Sequence, residues 1–162
     1  MTKTTVQGPA VCIGDDIDTD LIIAGRYLRT KDRSIWAAHA FEDLDPALAS
    51  RLHGAVLVAG KNLGCGSSRE QAVIALVEAG VQAVVALSCA RIFFRNCINV
   101  GLIICIAPEF TCNDGDVVVY NPDTEQLTIA GKDTAYHKLS PRMREIISAG
   151  GLVPFIRRGN VR

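Results

Sequence analysis

Three short apolar runs alternate with two amphipathic segments between residues 55 and 106, and this alternation restricts the chain to few folds. The runs have the composition of buried strands and occupy 55–59, 82–87 and 102–106. The segments between them have helical spacing and occupy 69–79 and 88–99. Gly80 and Gly101 stand where such helices end, and Ser88 stands where a side chain can cap the second one. The order strand, helix, strand, helix, strand predicts a parallel sheet with two right-handed crossovers.

The flanks of this core predict additional β-structure. Two β-prone stretches, 116–120 and 126–129, are separated by the turn sequence Asn-Pro-Asp-Thr and predict a hairpin. Two further helices are predicted over 143–149 and 152–157. Residues 11–23 hold an acidic loop between apolar stretches. We therefore expect a mixed α/β fold that forms a single domain over residues 1–162.

Composition excludes several classes of protein. Lys and Arg total 17 and Asp and Glu total 17, so the chain lacks the basic excess of a nucleic-acid-binding protein. No apolar stretch approaches the roughly 20 residues that a membrane span needs. Residues 1–10 lack the apolar run of a secretory signal. We therefore expect a cytoplasmic protein that binds neither nucleic acid nor membranes.

The cysteines do not have the spacing of a metal site. The chain contains 6 of them, and no two form a C-x-x-C pair. A zinc ribbon, or an iron–sulfur cluster held by this chain alone, is therefore not favoured. We expect free thiols and no metal-binding residues.

A glycine-rich segment follows the first predicted strand of the core, and residues 60–70 read GKNLGCGSSRE. A loop that leads from a strand into a helix N-terminus favours an anion. The segment fits neither a Walker loop, nor a dinucleotide fingerprint, nor a nucleophile elbow, because its Lys, Gly and Ser residues stand at other positions. It predicts a cradle for a small anion, formed by the side chains of Ser67, Ser68 and Arg69. The alternative is a tight turn in which Ser67 or Ser68 caps the helix.

Three other polar segments are candidate sites: residues 14–20 read GDDIDTD, 26–31 read RYLRTK and 90–96 read ARIFFRN. The first has the aspartate spacing of a calcium loop, but Leu21 and Tyr27 stand where that loop needs Gly and Glu. The first segment is therefore interpreted as a solvent-exposed acidic turn. The second segment is interpreted as a basic surface loop. In the third segment, Arg91 and Arg95 lie one helical turn apart and either face one anion or form ion pairs.

Residues 14–20, 64–70 and 90–96 together resemble one family in sequence, order and separation. They are similar to the small subunits of isopropylmalate isomerase and homoaconitase, which are separate-chain versions of the aconitase swivel domain. The resemblance implies a swivelling β/β/α domain and a hydro-lyase that acts on a small 2-hydroxy acid. It also implies a large partner subunit that binds a [4Fe–4S] cluster through its own cysteines, so that this chain binds no cofactor.

The resemblance also implies roles for individual residues. Ser67 is implied to be the catalytic base, acting as an alkoxide that takes a proton from a substrate carbon. Arg69 and Ser68 are implied to bind a substrate carboxylate. Asp20 corresponds to an aspartate that orients a catalytic group of the partner subunit. Arg29 takes the position that contacts the variable end of the substrate.

The arginine at position 29 leaves two substrates open. An apolar residue there would suit the isopropyl group of 3-isopropylmalate, an intermediate of leucine biosynthesis. Arg29 suits a further carboxylate, as in homocitrate or homoaconitate, although its stem can also line an apolar pocket. We expect 3-isopropylmalate dehydratase activity, with homoaconitase as the alternative. A non-catalytic binding or regulatory module of the same fold is the alternative from another class.

Overall fold

One seven-stranded sheet runs through residues 4–159, the part of the chain that the computed structural model describes. In chain order its strands are β1 (Val6–Gly14), β2 (Val56–Ala59), β3 (Ala83–Ala86), β4 (Ile103–Ile106), β5 (Val117–Asn121), β6 (Gln126–Ile129) and β7 (Lys132–Thr134). In space they lie in the order β4-β3-β2-β1-β5-β6-β7. The pairs from β1 to β4 are parallel, and the pairs β1–β5, β5–β6 and β6–β7 are antiparallel. The predicted parallel core and the predicted hairpin are both confirmed.

Helices connect and flank these strands. Within residues 4–159 they are α1 (Thr19–Ile22), α2 (Arg33–Ala38), α3 (Glu70–Glu78), α4 (Arg91–Val100), α5 (Pro141–Ser148) and α6 (Leu152–Arg157), with 3₁₀ turns at Gly25–Tyr27 and Ala49–Arg51. The four helices predicted from the sequence are present as α3 to α6. None of the helices in this range is long and apolar enough to cross a membrane.

Strand β1 joins the two halves of the sheet. Its first residues pair antiparallel with β5, where Val6 lies opposite Tyr120, and its later residues pair in parallel with β2. The sequence pattern predicted only an apolar stretch from residue 11, because Gly8 and Pro9 are rare inside strands and interrupt the alternation. Gly8 is required at this position, since a Cβ there would lie 2.2 Å from the carbonyl oxygen of Gly54.

The parallel strands are buried on both faces. Side chains of one face, among them Leu57, Val84 and Ile104, belong to a cluster that includes residues of α3 and α4. Side chains of the other face, such as Val58 and Val85, pack with residues of β5 and β6. The antiparallel strands therefore curl over one face while the helices cover the other. This double burial explains why β2 and β3 are apolar at every position.

The start of α4 differs from the prediction. The helix begins at Arg91, after Ala90, and it has no side-chain cap, so the expected cap at Ser88 is wrong. The Ser88 Oγ instead accepts a hydrogen bond from the N–H of Asn62 at 2.8 Å. The hydroxyl therefore fixes the glycine-rich loop instead of the helix.

Candidate active site

Three loops meet at the carboxyl ends of β1, β2 and β3, because parallel strands place these connections at one edge of the sheet. The glycine-rich loop after β2 lies between the other two. The N–H of Gly64 donates to the carbonyl of Ile17, in the loop after β1, at 2.7 Å. The carbonyl of Leu63 accepts from the N–H of Ala90, in the loop after β3, at 2.9 Å. Main-chain hydrogen bonds thus hold the glycine-rich loop on both sides.

The acidic segment binds the glycine-rich loop. Asp15 Oδ1 accepts a hydrogen bond from the N–H of Lys61 at 2.7 Å, and Asp16 Oδ1 accepts one from Asn62 Nδ2 at 3.1 Å. Asp18 caps α1 through its side chain. Asp15 and Asp16 are nevertheless exposed, so the segment is the solvent-exposed acidic turn that the sequence favours, and its carboxylates also hold neighbouring backbone and side-chain groups.

Thr19 anchors the serine segment. It is only 3% exposed and is the one polar residue that is buried among residues 4–159. Its Oγ1 donates a hydrogen bond to the carbonyl oxygen of Ser67 at 2.9 Å, and its N–H donates to the carbonyl of Cys65 at 3.0 Å. A buried hydroxyl without a partner costs about 1–3 kcal/mol, so this geometry is strongly favoured. Thr19 has no signature of its own in the sequence, and its position within the acidic segment is the only indication of this role.

Ser67 and Ser68 precede α3 without capping it. The N-cap residue is Arg69, in an extended conformation, and no side chain caps the first turn. The alternative in which a serine caps this helix is therefore wrong. Both serines are exposed, and neither hydroxyl has a hydrogen-bond partner within residues 4–159. Both hydroxyls are thus available to a ligand at a helix N-terminus, where an anion is favoured.

Arg69 and Asp20, which lie 49 positions apart, form an ion pair in which Arg69 Nη1 donates to Asp20 Oδ1. The same nitrogen lies 3.5 Å from the carbonyl oxygen of Ile23. The Arg69 side chain is 21% exposed and that of Asp20 is 60% exposed, so the guanidinium is held in the wall of the site. The ion pair also offsets the unfavourable position of a cation at the start of α3.

A cavity of about 330 Å³ lies between the N-termini of α3 and α4. Its lining includes Ser67, Ser68 and Arg69 from the first side and Arg91, Phe93 and Asn96 from the second. Two arginines and no acidic side chain line it, so its charge favours an anion. Gly64, also in the lining, has φ +75°, and a Cβ there would lie 2.2 Å from Cγ of Phe93. Only glycine therefore lets the loop approach α4 closely enough to form this cavity.

Arg29 does not line this cavity. Its side chain is exposed and makes no ion pair or hydrogen bond with any part of residues 4–159. Tyr27, two positions before Arg29, is held in place, because its ring stacks on His39 at 4.3 Å between centroids and its hydroxyl donates to Glu42 at 2.7 Å. Hydrogen bonds from Tyr27 and His39 lower the pKa of Glu42. The basic loop is thus anchored to the domain, and it presents Arg29 to the solvent.

The cysteines are free thiols, as predicted from the sequence. Burial raises the pKa of Cys89 to about 11 and that of Cys105 to about 12, and it raises the pKa of Cys97 as well. These thiols therefore remain protonated near neutral pH, as in ordinary core positions. Across residues 4–159, no three side chains of His, Cys, Asp or Glu come together as a metal ion would require.

The fold and the site together define an α/β domain with a mixed sheet and a serine–arginine loop at the carboxyl ends of its parallel strands. Residues 15–108 match the family described as Aconitase C-terminal domain, and the chain belongs to this family. The family expected from residues 14–20, 64–70 and 90–96 is thereby confirmed.

Curated relatives match almost the whole chain. The methanogen homoaconitase small subunit of Methanocaldococcus jannaschii is 47% identical over 156 residues, which cover 94% of this chain and 92% of that protein. The 3-isopropylmalate dehydratase small subunit of Moorella thermoacetica is 46% identical over 158 residues, which cover 94% of this chain and 95% of that protein. A crystal structure of 3-isopropylmalate dehydratase from Methanocaldococcus jannaschii is 45% identical, with a TM-score of 0.89, and covers 97% of this chain and 96% of that chain. The predicted fold is confirmed by this likeness.

Proposed function

We propose that this chain is the small subunit of a two-subunit hydro-lyase that isomerises 3-isopropylmalate by dehydration and rehydration. The observation that carries the proposal is the pair of unbonded hydroxyls of Ser67 and Ser68, beside the Arg69 guanidinium in one cavity. The names of the relatives support the same class of reaction. The single sheet that contains every described strand supports one domain over residues 1–162.

In this proposal Ser67 is the general base. Its Oγ, as an alkoxide, takes a proton from the carbon next to the one that loses hydroxide, and it returns the proton when water adds in the opposite sense. A serine alkoxide is unfavourable in water, so positive groups must stabilise it. The N-terminus of α3 and the Arg69 guanidinium are such groups. The hydrogen bond from Thr19 holds the backbone of Ser67 in place.

Arg69 and Ser68 bind one carboxylate of the substrate. The planar guanidinium suits a carboxylate, and the Ser68 hydroxyl can donate a further hydrogen bond. Asp20 was expected to orient a catalytic group of the partner subunit, whereas its ion pair supports a role in this chain as a positioning residue for Arg69. The carboxylate of Asp20 fixes one nitrogen of the guanidinium and leaves Nη2 without a hydrogen bond in the described chain.

The partner in this proposal is a large subunit that holds a [4Fe–4S] cluster, and the names of the relatives, which are small subunits, support a large-subunit partner. When bound to that subunit, the cluster supplies a Lewis acid for the leaving hydroxyl. This chain supplies the base and the carboxylate contacts.

The test is reconstitution with the large subunit from the same genome. The complex should convert 3-isopropylmalate to the unsaturated acid, which is followed by ultraviolet absorbance, and the isolated chain should not. A Ser67→Ala complex should assemble normally and lose turnover. A wild-type complex that assembles but converts neither 3-isopropylmalate nor homoaconitate would contradict the proposal and favour a non-catalytic module.

Homoaconitase activity is the second candidate, and Arg29 is the observation that favours it. An exposed guanidinium without a partner in the described chain is available to a further carboxylate on a longer substrate. The kcat/KM values of the same complex for 3-isopropylmalate and for homoaconitate decide between the two assignments.

A further inference from the structure

The charge balance of the cavity depends on one residue that the proposed function leaves unused. Arg69 is paired with Asp20, so these two side chains together contribute no net charge. Arg91 is the second arginine of the lining, at the first position of α4. It makes no ion pair or hydrogen bond with any other part of residues 4–159. Arg91 is therefore the uncompensated cation of the cavity.

The position of Arg91 is unfavourable unless an anion binds nearby. The first turn of α4 contains no acidic residue, and the helix has no side-chain cap. A cation at the positive end of a helix is disfavoured. At the start of α3 the carboxylate of Asp20 neutralises the charge of Arg69. No carboxylate of residues 4–159 pairs with Arg91 at the start of α4.

The substrate of the proposed reaction supplies such an anion. Every candidate acid carries at least two carboxylates, and Arg69 with Ser68 accounts for one of them. We propose that Arg91 binds a second substrate carboxylate across the cavity from Arg69. This inference rests on the proposed function, and it assigns the recognition of both carboxylates to residues of this chain.

Arg95 provides a matched control on the same helix. It lies one turn after Arg91, is exposed, and also lacks an ion-pair partner within residues 4–159. Both arginines line a neighbouring cavity with Ser88 and Phe94, but only Arg91 also lines the cavity of Ser67. The two arginines therefore share residue type and exposure but differ in access to the proposed substrate.

The experiment compares Arg91→Gln, Arg91→Lys and Arg95→Gln in the reconstituted complex. It measures kcat and KM for 3-isopropylmalate, the affinity of the two subunits, and the dissociation constant of 2-isopropylsuccinate by calorimetry. This probe is the substrate without its hydroxyl, so its binding is measured without turnover. Charge-assisted hydrogen bonds predict that Arg91→Gln weakens the probe and lowers kcat/KM about ten- to hundredfold, mainly through KM. Arg91→Lys should recover part of the loss, and Arg95→Gln should resemble wild type.

Each other outcome overturns the inference in a distinguishable way. If wild type is active and Arg91→Gln binds the probe as wild type does, Arg91 is not a substrate ligand and the proposed function still stands. If Arg91→Gln weakens only the subunit affinity and keeps its KM once assembled, Arg91 belongs to the subunit interface. If the wild-type complex neither converts the acids nor binds the probe, the proposed function and this inference fail together.

Discussion

Replacing Thr19 by valine removes one buried hydroxyl from beneath the serine loop and preserves the shape of the side chain. The hydroxyl lost is the donor to the Ser67 carbonyl at 2.9 Å. A hydrogen bond of this kind contributes about 1 kcal/mol net, and water can replace the donor because Ser67 is exposed. We expect Thr19→Val to lower the free energy of unfolding by about 1 kcal/mol, or the Tm by about 2–4 °C for a chain of this length.

The expected effect on turnover is larger than the effect on stability. Without the Thr19 hydrogen bond the backbone of Ser67 can shift, and a misplacement on the order of 1 Å at a reacting group costs about 100-fold in rate. The kcat of the complex should therefore fall about ten- to hundredfold. Its KM should change little, because Arg69 keeps its separate anchor at Asp20.

Thr19→Ser is the control, since it keeps the hydroxyl and removes only a methyl group. Thermal unfolding of the isolated chain, followed by circular dichroism, measures the change in stability, and steady-state kinetics of the complex measure turnover. A Thr19→Val variant with wild-type Tm and kcat, together with a damaged Thr19→Ser variant, would refute the reasoning. In that case methyl packing, not the hydrogen bond, would hold the loop.

Four further predictions concern the same site. Ser67→Ala in the complex should abolish most turnover with little change in KM, because a base acts in the chemical step, and near-normal kcat would exclude Ser67 as the base. Arg69→Lys should raise KM and lower kcat, since lysine lacks the planar fork, and unchanged kinetics would remove Arg69 from the substrate site. Arg29→Val should lower kcat/KM for homoaconitate about ten- to hundredfold relative to 3-isopropylmalate if Arg29 binds a distal carboxylate; a substrate ratio insensitive to the change would refute that contact. Gly64→Ala should destabilise the chain by about 2–5 kcal/mol, through strain at positive φ and the contact with Phe93, and an unchanged Tm in thermal unfolding would show that the loop can move away.

The parallel core was predictable because its determinants are local. Each strand of the core is a short apolar run, and each helix between them ends at a glycine such as Gly80 or Gly101, both of which have positive φ. Strand β1 was missed because Gly8 and Pro9 break the pattern. The presence of Gly8 is explained by its contact with Gly54, which is remote in sequence.

The candidate site was predictable as a set of segments but not as a set of contacts. The spacing of residues 60–70 identified the serine–arginine loop, whereas the ion pair of Arg69 with Asp20 spans 49 positions and has no local signature. The hydrogen bond of Ser88 also has no local signature, because its hydroxyl accepts from the N–H of Asn62 in another loop and does not cap the helix that follows. Local rules assign a serine to the nearest helix, and tertiary contacts can overrule that assignment.

The place of β1 between the two halves of the sheet has a consequence for the order of folding. Its first residues pair with β5 across roughly 110 residues of chain, whereas β5 and β6 pair across a short turn. Closing the longer loop costs about 2 kcal/mol more in chain entropy than closing a loop of about ten residues. We therefore expect the β5–β6 hairpin to gain hydrogen-exchange protection before Val6 and its neighbours do in pulse-labelled refolding. On the ribosome, the strand that is synthesised first must wait for β5 to emerge before its pairing is complete.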